Sequence, residues 1–305
     1  MAEAAFGDVR WNPSSELLGV YNAIHSGSGP MQLGPFAGAL SIKHMLRGSA
    51  TWSAAGRRFR VEGASFLVLN HGTVYTMERE ASEPTRSFCP FFARGYVAAA
   101  TRALCAGDAA LLDAPDAPSP ELELPEQIHS VDAAPVLAPL RSLAGAIQSG
   151  AASGLGVESA FVELASALAL TRDGVARERA RVPALRASTR GELHTRLQRG
   201  RERMHAGLQE RLGLAEIARA AGVAPHHFHR AFRSVYGVTP HRYLTRLRLE
   251  RAARLLAVTD WSVTEICAQV GFESLGSVSA LFRRELGRAP SEVRKNREAR
   301  AVPAR

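Results

Sequence analysis

Two stretches in the last third of the chain follow one plan: IARAAGVAPHHFHRAFRSVYGVTP, residues 217–240, and ICAQVGFESLGSVSALFRRELGRAP, residues 266–290. The matching anchors are Ile217 and Ile266, Gly222 and Gly271, Phe228 and Val278, Phe232 and Phe282, Gly237 and Gly287, Pro240 and Pro290. A repeat of this kind fixes one supersecondary unit used twice. Each copy reads as a short amphipathic helix, a turn entered at glycine, and a second helix that stops at another glycine before a proline. That order is the helix-turn-helix pattern. The turn glycine serves where the chain leaves a helix with a positive backbone angle. Ser274 is a good N-cap for the second helix of its copy and Ala224 a poor one, so Pro225 at the first helical position must help define that start.

The second helix of each copy sorts its residues by face. Phe228, Phe232 and Val235 form one stripe, matched by Val278, Phe282 and Leu286, and both stripes read as core. On the other side, at helical spacing, stand His226, His229, Arg230 and Arg233 in the first copy, and Gly276, Ser279, Ala280 and Arg283 in the second. Arginine donates two hydrogen bonds to a guanine edge, histidine or serine exchanges one, and alanine only touches a thymine methyl. The cluster PHHFHRAF also admits a metal reading, because histidines at i and i+3 can share an ion. No Asp, Glu or Cys stands beside them to complete such a site. His227 falls toward the flank, where a packed or backbone-bonded ring is the expected state.

Between the copies runs PHRYLTRLRLERAARLLA, residues 240–257, with leucines along one side and no Gly or Pro after its first residue. Eighteen helical residues span about 27 Å. A rod of that length can hold two reading helices close to one DNA turn, roughly 34 Å, apart. Charge follows the same division. Of 38 Lys and Arg and 29 Asp and Glu in the chain, residues 187–305 hold 22 and 11, so the basic excess sits there and is carried by arginine. Such a surface suits phosphate contact and counterion release.

The first part of the chain has a different texture. From about residue 38 to 95 short apolar runs, LSIKHML, GSATW, RFRVEG, SFLVLN, HGTVYTME and SFCPFF, alternate with Gly56, Gly63, Gly72 and Pro90, as in a small sandwich or barrel. DAPDAPSPELELPEQ, residues 113–127, is acidic and proline-rich and ends that domain. Two helix-length segments follow, 134–148 and 157–172. In the second, Phe161, Leu164 and Leu168 need either the first domain or a second copy of the chain to cover them. Cys89, Cys105 and Cys267 are far apart with no CxxC pair and read as reduced thiols. No leader-like start and no run of about 18 apolar residues is found, which points to a cytoplasmic chain.

Two helix-turn-helix copies joined by PHRYLTRLRLERAARLL, with ICAQVGFES and the FRREL-G-x-x-P ending, resemble the AraC/XylS family of bacterial transcriptional regulators over about residues 188–296. The resemblance implies two recognition helices in adjacent major grooves of promoter DNA. It carries base reading onto His226, His229 and Arg230, and onto Gly276, Ser277 and Ser279. Family members often place arginine where Ala280 stands and an aromatic at Ser277 or Val278. The second helix is therefore expected to add mainly phosphate contacts through Arg283 and Arg284, as Arg233 does in the first. Residues 20–96 resemble the cupin-type barrel that precedes the DNA-binding part in many such regulators. A metal-bearing cupin has an HxH pair; Lys43-His44-Met45 lacks it, so no metal, cofactor or catalytic residue is expected. His44, Tyr75 and Cys89 are the candidates for an effector pocket.

The expected fold class is α+β: a cupin-like β-barrel for sensing or dimerisation at 1–125, a helical connector at 126–186, and an all-α AraC-type DNA-binding domain at 187–305. The expected function is sequence-specific transcriptional regulation. Double-stranded promoter DNA is the principal partner; RNA polymerase, a small-molecule effector and a second copy of the chain are further candidates, and a membrane is not. The rivals are a cupin-like metal-dependent enzyme fused to a DNA-binding domain and a nucleoid protein without sequence preference.

Overall fold

The run SFLVL is apolar without interruption, which in a strand means cover on both faces. It forms a strand in which every residue is buried, Ser65–Leu69, and its position explains why. The computed structural model describes residues 9–15, 20–27, 29–63, 65–79, 84–105, 122–130, 135–149, 154–272 and 275–294. It separates into two compact units, Met1–Arg177 and Glu178–Arg305.

The first unit contains strands β1 (Val9–Ser15), β2 (Val20–Gly27), β3 (Met31–Ala37), β4 (Leu40–Arg47), β5 (Ser49–Ala54), β6 (Arg57–Glu62), β7 (Ser65–Leu69), β8 (Val74–Arg79), β9 (Thr85–Phe92) and β10 (Ile128–Ser130). Its helices are α1 (Tyr96–Cys105), α2 (Leu137–Ser149) and α3 (Gly154–Ala180), the last reaching a few residues past the unit's end. One sheet has the order β1-β2-β9-β4-β7-β10 and the other β3-β8-β5-β6. Strand alternation then makes two cores. One face of the six-stranded sheet offers Met45, Leu67, Leu69, Cys89 and Phe91 to Trp52, Phe59, Val61 and Met77 of the other sheet. Its opposite face offers Ile42, Phe66, Val68, Phe88 and Phe92 to Leu140, Leu143, Phe161, Leu164 and Leu168 of the helices. Phe161, Leu164 and Leu168 are thus covered inside this unit.

These strands form two sheets and no closed barrel among the described residues, which corrects the barrel expected from the sequence. The cause is local. A single residue, Gly48 at φ +69, separates β4 from β5, whereas the shortest common hairpin needs two. The chain therefore cannot fold β5 back on β4 and passes into the other sheet, where β5 pairs with β6 and β8 while β4 pairs with β7 and β9. Residues 122–130 return to the same unit. Asn70 Nδ2 donates to the Leu124 carbonyl at 2.8 Å, Leu124 N–H donates back to Asn70 Oδ1 at 3.0 Å, and β10 joins β7 at the sheet edge.

The second unit is helical: α4 (Ala187–Ala206), α5 (Leu214–Ala221), α6 (Pro225–Tyr236), α7 (Pro240–Val258), α8 (Val263–Gln269) and α9 (Leu275–Leu286). It holds two separate cores. Leu197, Ile217, Phe228, Phe232 and Val235 belong to one, and Ile266, Val270, Val278 and Phe282 to the other. Helix α7 serves both, giving Leu244 and Leu247 to the first and Leu249, Ala252, Leu255 and Leu256 to the second. The helix starts are set locally. Thr239 Oγ1 accepts from Arg242 N–H at 3.3 Å, and Ser262 with Glu265 forms a reciprocal capping box at 3.2 and 2.7 Å.

Candidate nucleic-acid interface

Helix α6 begins at Pro225 because Ala224, with no side-chain cap to offer, is followed by a residue whose missing N–H needs no partner. Before it, Gly222 closes α5 at φ +64, and Gly271 takes the same role at φ +81 in the second copy. Phe228, Ala231, Phe232 and Val235 of α6 are buried, which turns His226, Arg230 and Arg233 outward, with His229 half-buried. His227 is exposed as well, which corrects the packed state expected of it: Phe228 already fills the core side of that turn.

In α9, Val278 and Phe282 are buried, and Ser279, Ala280, Arg283 and Arg284 are exposed. Gly276 and Ser277 belong to the helix, but Ser277's side chain lies outside the described residues, as does the expected cap Ser274. The two outward faces differ in inventory: imidazoles and guanidinium groups on α6, a hydroxyl, a methyl and guanidinium groups on α9.

The first copy rests on a buried polar network that sequence reading missed. Arg201, 3% exposed, donates from Nε to the Tyr243 hydroxyl at 3.3 Å and from Nη1 to Gln198 Oε1 at 3.2 Å. Its guanidinium also lies over the Tyr236 ring, 4.9 Å from the centroid. Burial alone lowers its pKa, but Tyr243, Tyr236 and Glu178 outweigh that influence and hold the group charged. His194 Nε2 lies 3.1 Å from Glu178 Oε2 and His205 Nε2 lies 3.1 Å from the Tyr243 hydroxyl. The network joins α4 to the start of α7 behind the reading helix. Arg201 was hidden among the other arginines of RLQRGRERM, where nothing in the local pattern separates a buried guanidinium from solvated ones.

A cleft of about 740 Å³ lies between the two copies, lined by residues of both and by α7. Arg211, Arg242, Arg248 and Arg284 surround it over an apolar floor that includes Leu212, Leu244, Phe272 and Leu281, and among the described residues Glu285 is its one acidic lining residue. Arg248 ties one end shut, donating to the Leu208 carbonyl at 3.0 Å and the Glu210 carbonyl at 2.6 Å. Gly271 is needed there, since a Cβ would lie 2.7 Å from the Leu208 carbonyl oxygen.

The three effector candidates of the first unit divide between two faces. Tyr75 and Cys89 face the space between the sheets, whereas His44 lies beyond the sheet, with Nδ1 3.0 Å from the Ser65 carbonyl oxygen. The residue that joins Tyr75 and Cys89 is Lys43, which sequence reading used only to reject a metal motif. Its ammonium donates to the Tyr75 hydroxyl at 3.0 Å and sits 4.3 Å from the centroids of both the Tyr75 and Phe91 rings. Burial pulls its pKa from 10.5 down to about 8, with Cys89 pulling weakly the other way.

A stability effect follows. The unfolded chain holds the Lys43 proton more tightly, so stability rises with pH from about 8. Burial raises the Cys89 pKa above 9.0, so ionisation of the unfolded thiol opposes the gain above that point. The net rise is confined to about pH 8–9. Lys43→Met is expected to remove it and to stabilise the unit at pH 7 by up to roughly 3 kcal/mol, the free energy that corresponds to lowering the pKa from 10.5 to about 8. Denaturant unfolding followed by fluorescence, with Trp52 buried beside this space, checks both; a destabilised variant at pH 7 contradicts the account.

Two repeated helix-turn-helix units on one spacer helix, with outward basic faces, define a DNA-binding domain. A helix-turn-helix domain family matches residues 217–296. The chain is 48% identical over 71 residues to the HTH-type transcriptional activator RhaS of Enterobacter sp. (strain 638), a stretch covering 23% of this chain and 26% of that protein. The chain thus spans about a quarter of the length of the curated relatives it matches. Among solved structures, an AraC-type regulator from Chromobacterium violaceum is 30% identical, covering 39% of this chain and all of that one, at a TM-score of 0.33. The DNA-binding domain of AdpA in complex with a target DNA is also 30% identical, covering 37% of this chain and 98% of that one, at a TM-score of 0.32. Residues 217–296 therefore belong to this helix-turn-helix domain family. No described helix is long and apolar enough to cross a membrane.

Proposed function

We propose that the whole chain is a sequence-specific transcriptional regulator that reads two successive major grooves of promoter DNA. The observation that carries this is α7, which gives side chains to both helix-turn-helix cores and so couples two reading helices through one rigid element. Base reading falls on His226, His229 and Arg230 in the first unit and on Gly276, Ser277 and Ser279 in the second. Arg233, Arg283 and Arg284 hold phosphates. RhaS, a relative over the C-terminal stretch, is described as a transcriptional activator, which supports the regulatory reading.

The division of labour follows from unequal polar inventories: α6 carries most of the specificity. Selection from a randomised duplex library tests it. Arg230→Ala is expected to lose the preference at its base position, at about 1–3 kcal/mol, with the fold intact, and Ser279→Ala to leave the selected sequence nearly unchanged. A preference that survives Arg230→Ala and shifts with Ser279→Ala overturns the assignment. No preference by the parent protein favours a nucleoid role.

For the first unit we propose a cupin-like sensing or dimerising role with no enzymatic activity. Its two facing sheets and the polar group Lys43, Tyr75 and Cys89 support an effector site between the sheets, to which Lys43 would present positive charge. RNA polymerase and a second copy of the chain complete the proposed partners.

A further inference from the structure

Glu285 stands on the last turn of α9, and its side chain is 6% exposed. Both of its carboxylate oxygens are engaged by arginines that point outward. Arg242, from the first turn of α7, donates to Oε2 from Nε at 3.3 Å and from Nη2 at 3.2 Å. Arg284 donates from Nε to Oε1 at 3.0 Å. The two arginine side chains are 61% and 68% exposed. The carboxylate therefore lies beneath two guanidinium groups that form part of the rim of the basic cleft between the reading units. Burial raises its pKa, but the hydrogen bonds from Arg284 and Arg242 and their charges outweigh that effect, so it stays ionised.

The placement has an electrostatic consequence that depends on the DNA-reading role proposed above. A duplex crossing from one major groove to the next brings its phosphates past the space between the two reading helices. Arginines there gain affinity by displacing condensed counterions, a gain independent of base sequence. A carboxylate already paired with two of them repels the same phosphates within one Debye length. We propose that Glu285 is an affinity-limiting residue of the DNA interface, holding Arg242 and Arg284 partly neutralised so that sequence-independent binding stays weak while base reading by α6 is untouched. The competing role for the same contacts is a structural clamp between α7 and α9, and the two roles differ in sign.

The test uses the full-length protein, its selected duplex and a scrambled duplex, each titrated across a salt series. Glu285→Gln keeps the volume and a hydrogen-bond acceptor and removes the charge. It is expected to tighten binding roughly tenfold on both duplexes alike and to steepen the dependence of log K on log salt by about one unit, the effect of one further neutralised phosphate. Weaker binding, or an unchanged slope in a protein with the parent's melting temperature, overturns the proposal in favour of the clamp. A second variant works even if Glu285→Gln does not fold. Arg242→Gln in the parent protein lowers the summed charge of Arg242, Arg284 and Glu285 from +1 to zero and is expected to flatten the slope by about one unit on both duplexes alike; an unchanged slope overturns the proposal. If the parent protein itself shows no preference for its selected duplex over the scrambled one, the regulatory reading fails instead, and the two failures are told apart in the same experiment.

Discussion

Phe232→Ala is expected to unfold the first helix-turn-helix unit and leave the second folded. Phe232 is fully buried, with the rings of Tyr236, Phe228 and Tyr243 at centroid distances of 4.5, 5.4 and 5.5 Å. Removing a ring from such a site forfeits its transfer free energy and leaves a cavity that the surrounding tilted and edge-on rings cannot close, at a cost of about 3–5 kcal/mol. The same loss is expected for Phe282→Ala in the other core, where Phe282 is 1% exposed among Val270, Val278 and Val293. Because the two cores share no residue, each substitution should act on its own half. Hydrogen exchange resolves this: Phe232→Ala should lose protection in α4 to α6 and retain it in α8 and α9. Equal loss across both halves contradicts the separation, and loss of only a few tenths of a kcal/mol contradicts the packing.

The helical half of the molecule was legible in the sequence because its signals are local. Helix periodicity, glycine stops and Pro225 each act within a turn or two, and the repeat states them twice. Phe228, Phe232, Val278 and Phe282 all stand where their spacing put them. The first unit was legible only in part. Strand rhythm located the runs that became β4 to β9; β2 and β3 fell only within the barrel resemblance over residues 20–96, and β1 lay before both. Strand β10 follows a proline-rich segment, and its pairing to β7 is settled by contacts more than 50 residues apart, such as Asn70 with Leu124. The two-sheet outcome turned on one connector, Gly48, too short for a hairpin.

The candidate site shows the same contrast. The outward faces of α6 and α9 follow from which residues their cores take, and those were readable. Lys43 and Arg201 were not, because a buried cation looks like any other in sequence; each is recognised only once Tyr75 and Phe91, or Tyr236 and Tyr243, are seen around it. Glu285 is a further case, its partner Arg242 lying 43 positions away.

The other large effect concerns spacing on the DNA. Helix α7 has 19 residues and therefore spans about 28 Å, with buried contacts to both cores along its length. It has no glycine, and its one proline is its first residue, so the distance between reading helices cannot adjust freely. An insertion of about five base pairs between the two recognised segments turns one major groove to the far side of the duplex, since a turn takes roughly 10.5 base pairs. Binding should then lose the base contacts of α9 and keep its phosphate contacts, which any sequence supplies, a loss of about tenfold, the value of one mismatched position at about 1–3 kcal/mol. An insertion of about ten base pairs restores the face but moves the second groove a full turn away, and α7 cannot follow it.

Footprinting of the full-length protein on its selected duplex therefore tests the arrangement most directly. Two protected segments centred about one helical turn apart on the same face are expected, and the half-turn insertion should leave that spacing unchanged while weakening binding. Protection of a single groove in the parent duplex, or two segments whose spacing stretches to follow the insertion, would contradict a rigid α7 holding two readers.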